Sequence, residues 1–123
     1  MIEVAQKSET KQLSALLKVI AEPKRLEILS LLMQGTYCNC ELGDRLNIAP
    51  NLISHHLRVI VEAGLIETER DAQDARWVYY RINPNAIHSM LQTIGAFFDI
   101  SQMTERTPQC GPRFSPDQSK GDK

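Results

Sequence analysis

Residues 50–64, with the change of period that follows them, restrict the fold more than any other part of the chain. On a helical wheel centred on Ile53, Leu57 and Ile60 fall within about 40° of it, while Asn51, His55, Arg58 and Glu62 fall near the opposite side. Ser54 lies on the flank, and His56 lies beside the apolar face, where a structural role is expected. Such a helix has one face for a core and one of short hydrogen-bonding and cationic side chains. Beyond Gly64 the spacing shortens. Leu65-Ile66-Glu67-Thr68-Glu69-Arg70 and Arg76-Trp77-Val78-Tyr79-Tyr80-Arg81-Ile82 are rich in alternating, β-branched and aromatic residues, and Asp71-Ala72-Gln73-Asp74-Ala75 connects them. That pattern reads as a β-hairpin.

Upstream, Leu13, Leu16, Leu17 and Ile20 recur at amphipathic helix spacing. Ala21-Glu22-Pro23 interrupts them, and Pro23 suits the first turn of a second helix, where the N–H it lacks has no partner. The second helix is expected to carry Leu26, Leu29, Leu32 and Met33 inward and to stop at Gly35. A short third helix over residues 39–46 buries Leu42 and Leu46. After the hairpin, Asn83-Pro84 supplies an N-cap and first-turn proline for a last helix, whose broad apolar face is Ile87, Met90, Leu91, Ile94, Phe97 and Phe98.

The chain is therefore expected to be mainly α with a β-hairpin wing, a winged helix-turn-helix over residues 1–103. From Thr104 the composition turns to Pro, Ser, Gly and Lys; residues 104–123 are expected to form a flexible tail carrying Cys110, with disorder beyond Gly111. The 123 residues suffice for one core without covalent staples. No apolar run reaches the roughly 18 residues of a membrane span, and the N-terminus does not read as a secretory signal. Three cysteines are a poor match to a disulfide scaffold. A cytoplasmic location with reduced thiols is expected.

A winged helix-turn-helix lays its second helix in the major groove and lets the hairpin reach along the backbone. Asn51, Ser54, His55 and Arg58 are the groove-facing candidates, since Asn pairs with adenine and Arg with guanine or phosphate. Arg70 and Arg76, at the feet of the hairpin, are candidates for neutralising phosphates. The net charge is −1, and residues 45–81 hold five Arg against five Asp and Glu. Binding to double-stranded DNA is thus expected to be modest and salt-sensitive, with a few arginines mattering. A winged helix that binds only proteins is the competing class. No nucleophile–base–orienter set suggests an enzyme.

Ala21-Glu22-Pro23-Lys24-Arg25-Leu26-Glu27-Ile28-Leu29, Cys38-Asn39-Cys40-Glu41-Leu42, Ser54-His55-His56-Leu57, Glu62-Ala63-Gly64-Leu65-Ile66 and Arg76-Trp77-Val78-Tyr79-Tyr80 occur in the order of the ArsR/SmtB metalloregulatory repressors, which the chain resembles over roughly residues 10–100. The resemblance implies a homodimeric repressor that releases its operator when a metal ion binds, with the first and last helices building the dimer interface. It also places Cys38 and Cys40 where the arsenic, cadmium and lead sensors of that family carry a CxC.

On an α-helix, side chains two apart point about 200° away from each other, so ligation of one ion by both thiolates is expected to unwind the first turn of the third helix. Soft thiolates select soft ions. Some members of the family have a third cysteine three residues after the CxC, where Gly43 stands here; others place cysteines in the N-terminal arm, and residues 1–20 contain none. Cys110 remains, about eight residues past the last helix and within roughly 25 Å of reach. Three sulfurs without a fourth ligand suit As(III) or Sb(III) as inducer better than tetrahedral zinc. Pb(II) tolerates the same set, and Cd(II) wants one ligand more. A thiol redox or persulfide sensor of the same fold is the other alternative. The family's other metal site, on the last helix, is matched here only by His88 and Asp99, which disfavours zinc or nickel. No organic cofactor is expected.

Overall fold

The computed structural model describes residues 2–113, with side chains from Ser8 onward. The expected disorder past Gly111 falls mainly on residues outside the described ones. The described chain runs α1 (Ile2–Ala21), α2 (Pro23–Leu32), β1 (Tyr37–Cys38), α3 (Asn39–Leu46), α4 (Pro50–Glu62), β2 (Ile66–Arg70), β3 (Val78–Ile82) and α5 (Pro84–Phe97), closing with a 3₁₀ turn at Ile100–Gln102.

Local chemistry explains the boundaries. Glu22 caps α2, its Oε1 accepting the Lys24 and Arg25 amides at 2.7 and 3.2 Å, with Pro23 behind it. Asn83 caps α5 in the same way, its Oδ1 accepting the Ala86 amide at 3.3 Å ahead of Pro84. Between α3 and α4 the chain turns through Asn47 at φ 56°, a left-handed conformation that Asn tolerates better than most residues. At the end of α4 the Gly64 amide donates to the Val61 carbonyl and the Leu65 amide to the Ile60 carbonyl, with Gly64 at φ 82°. That paired closure needs a residue free of Cβ strain, and it delivers buried Leu65 into the core at the start of the wing.

The core is Ile28, Leu29 and Leu32 of α2, Leu42 of α3, Ile48, the Ile53–Leu57–Ile60 stripe of α4, and Leu65 and Ile66. Helix α2 departs from the expected pattern. Leu26 is 50% and Met33 65% exposed, whereas Ile28 is fully buried. The inward stripe of α2 is Ile28, Leu29 and Leu32, which leaves Leu26 on the far side, and Met33 is the C-cap residue past the last full turn.

The wing differs too. It is a three-stranded sheet in the order β1-β3-β2, because Tyr37 and Cys38 pair antiparallel with Tyr80 and Tyr79. A strand of two residues carries no alternation to read, so the sequence displays the hairpin alone. The hairpin itself is in register from Ile66↔Ile82 to Arg70↔Val78. Arg76 and Trp77, expected in the second strand, instead belong to the connection. The last helix ends at Phe97, before the 3₁₀ turn.

Candidate nucleic-acid interface and thiol site

Helix α4 is anchored by Ile53, Leu57 and Ile60, and this fixes its opposite face. Asn51, Ser54, His55 and Arg58 are all exposed there, as the wheel predicts. Arg58 and His55 lie one turn apart, with Nη2 and Nδ1 3.4 Å from each other. His56 is 5% exposed, in agreement with the structural role expected of it. Its Nδ1 accepts a hydrogen bond from Arg25 Nε at 3.2 Å, and its Nε2 stands 3.9 Å from Glu22 Oε1. Arg25 reaches on with Nη1 to the Val19 carbonyl at 3.1 Å. One guanidinium thus ties the end of α1, the start of α2 and the middle of α4. Burial holds His56 below the ordinary histidine pKa, with Glu22 opposing and Arg25, His55 and Lys24 assisting. Sequence reasoning missed this tie, since nothing in helical spacing links Arg25 to His56.

The wing arginines flank the tip of the hairpin rather than its feet, and both already have partners. Arg70 Nη1 donates to the Ala75 carbonyl at 2.7 Å, bracing the connection from inside. Arg76 makes a two-pronged pair with Asp74, Nε to Oδ1 at 3.0 Å and Nη2 to Oδ2 at 2.8 Å. The exposed pair lowers the Asp74 pKa and raises that of Arg76 through their shared hydrogen bonds. Arg81 is likewise held, by Glu67 and Glu69. Two of the five arginines of residues 45–81, Arg76 and Arg81, are thus held in ion pairs. Among the described residues, no carboxylate holds Arg58 of α4 in an ion pair, nor Arg70, which donates to a carbonyl.

All three thiols are free. Cys38 is buried, with extended backbone at φ −85° and ψ 163°, and stands as both the last residue of β1 and the N-cap of α3. Its own amide donates to Glu41 Oε1 at 3.1 Å. Cys40 is exposed in the first turn of α3, and Cys110 is exposed beyond the 3₁₀ turn. The CxC thus straddles a strand-to-helix junction instead of lying wholly on a helix, so one of its two residues is already extended. Among the described residues, no three His, Cys, Asp or Glu side chains gather into a group that could hold a metal ion. At Gly43 a Cβ would come 3.2 Å from the Ile48 carbonyl oxygen, a close approach that a larger side chain would crowd.

Outside the core, α1 and α5 leave an apolar surface. No side chain of α5 is buried; Phe97 and Phe98 meet edge to face at 4.9 Å, and Leu17, Leu91, Phe98, Ile100 and Met103 are exposed. Leu13, Leu17, Ala21, Phe97 and Phe98 line an apolar hollow of about 310 Å³ between the two helices. No helix among the described residues is long and apolar enough to cross a membrane.

A recognition helix held by its inward face, a preceding support helix and a wing beside them define a winged helix-turn-helix DNA-binding protein. Residues 22–68 match the family described as bacterial regulatory protein, arsR family. The arsenical resistance operon repressor of Staphylococcus xylosus is 32% identical over 100 residues, spanning 81% of this chain and 89% of that protein. A solved protein described as a possible transcriptional regulator for arsenical resistance has a TM-score of 0.60 at 30% identity, covering 72% of this chain and 96% of its own. Reduced HlyU from Vibrio cholerae N16961 has a TM-score of 0.59 at 26% identity, covering 80% and 98%. The chain belongs to the ArsR family. It is a transcriptional repressor of that family and not an enzyme.

Proposed function

We propose that this repressor binds operator DNA as a homodimer and releases it when As(III) or Sb(III) is taken up by the thiols of Cys38 and Cys40, with Cys110 as third sulfur. The observation that carries the proposal is the position of the CxC. Its two free thiols flank the junction between the wing sheet and α3, the helix packed beneath the reading helix. Cys38 is buried and extended while Cys40 is exposed and helical, so drawing both sulfurs onto one ion has to rearrange that junction. Two thiolates are a soft donor pair, and a third from the tail or from the partner subunit completes a trigonal set. The arsenical repressor relative supports the choice of metalloid.

In this reading Asn51, Ser54, His55 and Arg58 meet base edges and phosphates in the major groove. Arg70 and Arg76 meet the backbone beside it, Arg76 by exchanging Asp74 for a phosphate. Two reading helices presented by one dimer match two half-sites about one helical turn apart. The α1/α5 surface supplies the dimer contact, since an apolar patch of this kind is rarely left in water.

The test is an anaerobic arsenite titration of the reduced protein, counting protected thiols while following affinity for a duplex selected by the protein from random DNA. Three protected thiols per chain with release of the duplex are expected. Two with release leave Cys110 out of the site. None protected overturns the assignment of the metalloid, and the same titration with cadmium, lead or an oxidant then identifies the effector.

A further inference from the structure

The buried thiol of the CxC and the tip of the wing are joined by a short, continuous set of contacts. Strand β1 has two residues, and its Cys38 pairs directly with Tyr79 of β3. Side chains directly opposite on antiparallel strands share one face, about 5 Å apart at Cβ. From that face the Tyr79 hydroxyl donates to Asp71 Oδ1 at 3.3 Å. The other oxygen of Asp71 accepts the amides of Gln73 and Asp74, both at 3.0 Å, and so shapes the connection between β2 and β3. Asp74 in turn holds Arg76 through its amide, Nε and Nη2. The loop closes on itself where the Trp77 amide donates to the Asp74 carbonyl and the Asp71 amide to the Trp77 carbonyl.

We propose that Tyr79 is a positioning residue that couples the Cys38 thiol to the wing, so that occupation of the CxC resets the loop carrying Arg76 as well as the helix above it. This rests on the reading that Cys38 and Cys40 take up a thiophilic ion. Bringing a buried sulfur onto an ion shared with exposed Cys40 requires movement at the junction of β1 and α3, and a two-residue strand has few ladder bonds to oppose a shift of β1. Displacing β1 withdraws the strand partner of Tyr79, and with it a support for the hydroxyl's aim at Asp71.

The chain contains one tryptophan, and it sits in this loop, so the protein carries its own reporter. Mercuric ion is added to the reduced full-length protein and to Tyr79→Phe, without DNA. The readouts are free thiols, Trp77 emission, and hydrogen exchange at the amides of Gln73 and Asp74. In the wild type, occupation of Cys38 and Cys40 is expected to change Trp77 emission and to speed exchange at both amides about two- to tenfold, the scale of one hydrogen bond. Tyr79→Phe is expected to protect the same thiols yet show the faster exchange before any ion is added, with little further change afterwards. An unaltered wild-type response in Tyr79→Phe overturns the proposal. So does a silent wing at full occupancy, or a Cys38 left free at mercuric saturation. Arsenite failing to protect these thiols overturns the inducer assignment alone, because mercuric ion occupies accessible thiol pairs whatever their natural ligand.

Discussion

Arg25 Nε donates to Nδ1 of His56, so the one buried histidine in the reading helix serves as an acceptor and stands neutral. Protonation puts a hydrogen on the nitrogen that faces the guanidinium and breaks the tie between α2 and α4.

Stability is therefore expected to fall with acid in a defined direction. His56 is held below its unfolded value of 6.5 by burial, against the pull of Glu22 and with the help of Arg25, His55 and Lys24. A group depressed in the folded state contributes stability that is complete above its unfolded pKa and is lost as pH falls through the folded one. Thermal unfolding followed from pH 7.5 downward is expected to hold steady to about 6.5 and then to decline. A melting temperature that rises through this range, or an imidazole titrating above 6.5 by NMR, contradicts the arrangement.

Removing the guanidinium is a separate matter. Arg25→Ala leaves Nδ1 of a buried histidine and the Val19 carbonyl without their donor, a loss of about 1–3 kcal/mol for each group left unsatisfied. Arg25→Lys is expected to recover only part of it, because one ammonium cannot span both acceptors with the fork of a guanidinium. Denaturant unfolding of the two variants measures this directly.

Operator affinity is expected to depend unequally on the arginines. Arg58 has no carboxylate to leave, and Arg58→Ala is expected to weaken binding by about 1–3 kcal/mol where its guanidinium meets a base edge. Arg76 must first give up Asp74, so Arg76→Ala is expected to cost less. Asp74→Asn, which weakens the competing pair, is expected to raise affinity and steepen its salt dependence. Binding isotherms at several salt concentrations separate the three. Full affinity in the Arg58→Ala, Arg76→Ala double variant contradicts docking through α4 and the wing.

Cys40→Ser is expected to bind operator normally and to be deaf to arsenite, whereas Cys110→Ser is expected to respond with lower sensitivity. An arsenite dose-response on all single cysteine variants, with thiol counts, decides which sulfurs belong to the site.

The α1/α5 surface is open to a test of assembly. Phe98→Glu places a charge in the centre of the proposed dimer contact, away from the core of the single chain. Sedimentation equilibrium is expected to show a folded monomer whose operator affinity has fallen steeply. A dimer that persists unchanged places the interface elsewhere.

Much of the fold is readable from residue order. The proline-started helices α2, α4 and α5, the outward set Asn51, Ser54, His55 and Arg58, and the hairpin all follow from period and capping, which are local properties. Legibility fails where neighbours distant in sequence decide. Leu26 and Met33 look inward by hydrophobicity, yet Ile28 takes the buried position. Strand β1 exists only because β3 offers it an edge, and Arg25 meets His56 only through the crossing of two helices. The pairing of Arg76 with Asp74 is local, but an arginine near a hairpin tip reads equally as free for phosphate until the loop's shape is known.

A cation already neutralised by its own neighbour adds little to long-range attraction, so Arg76 contributes little to the first approach of a duplex. In the proposed docking, Arg76 becomes available only at close range, where a phosphate replaces the Asp74 carboxylate. Phosphates lie along every duplex, so such an exchange bears on the strength of binding and leaves the choice of sequence to the exposed face of α4.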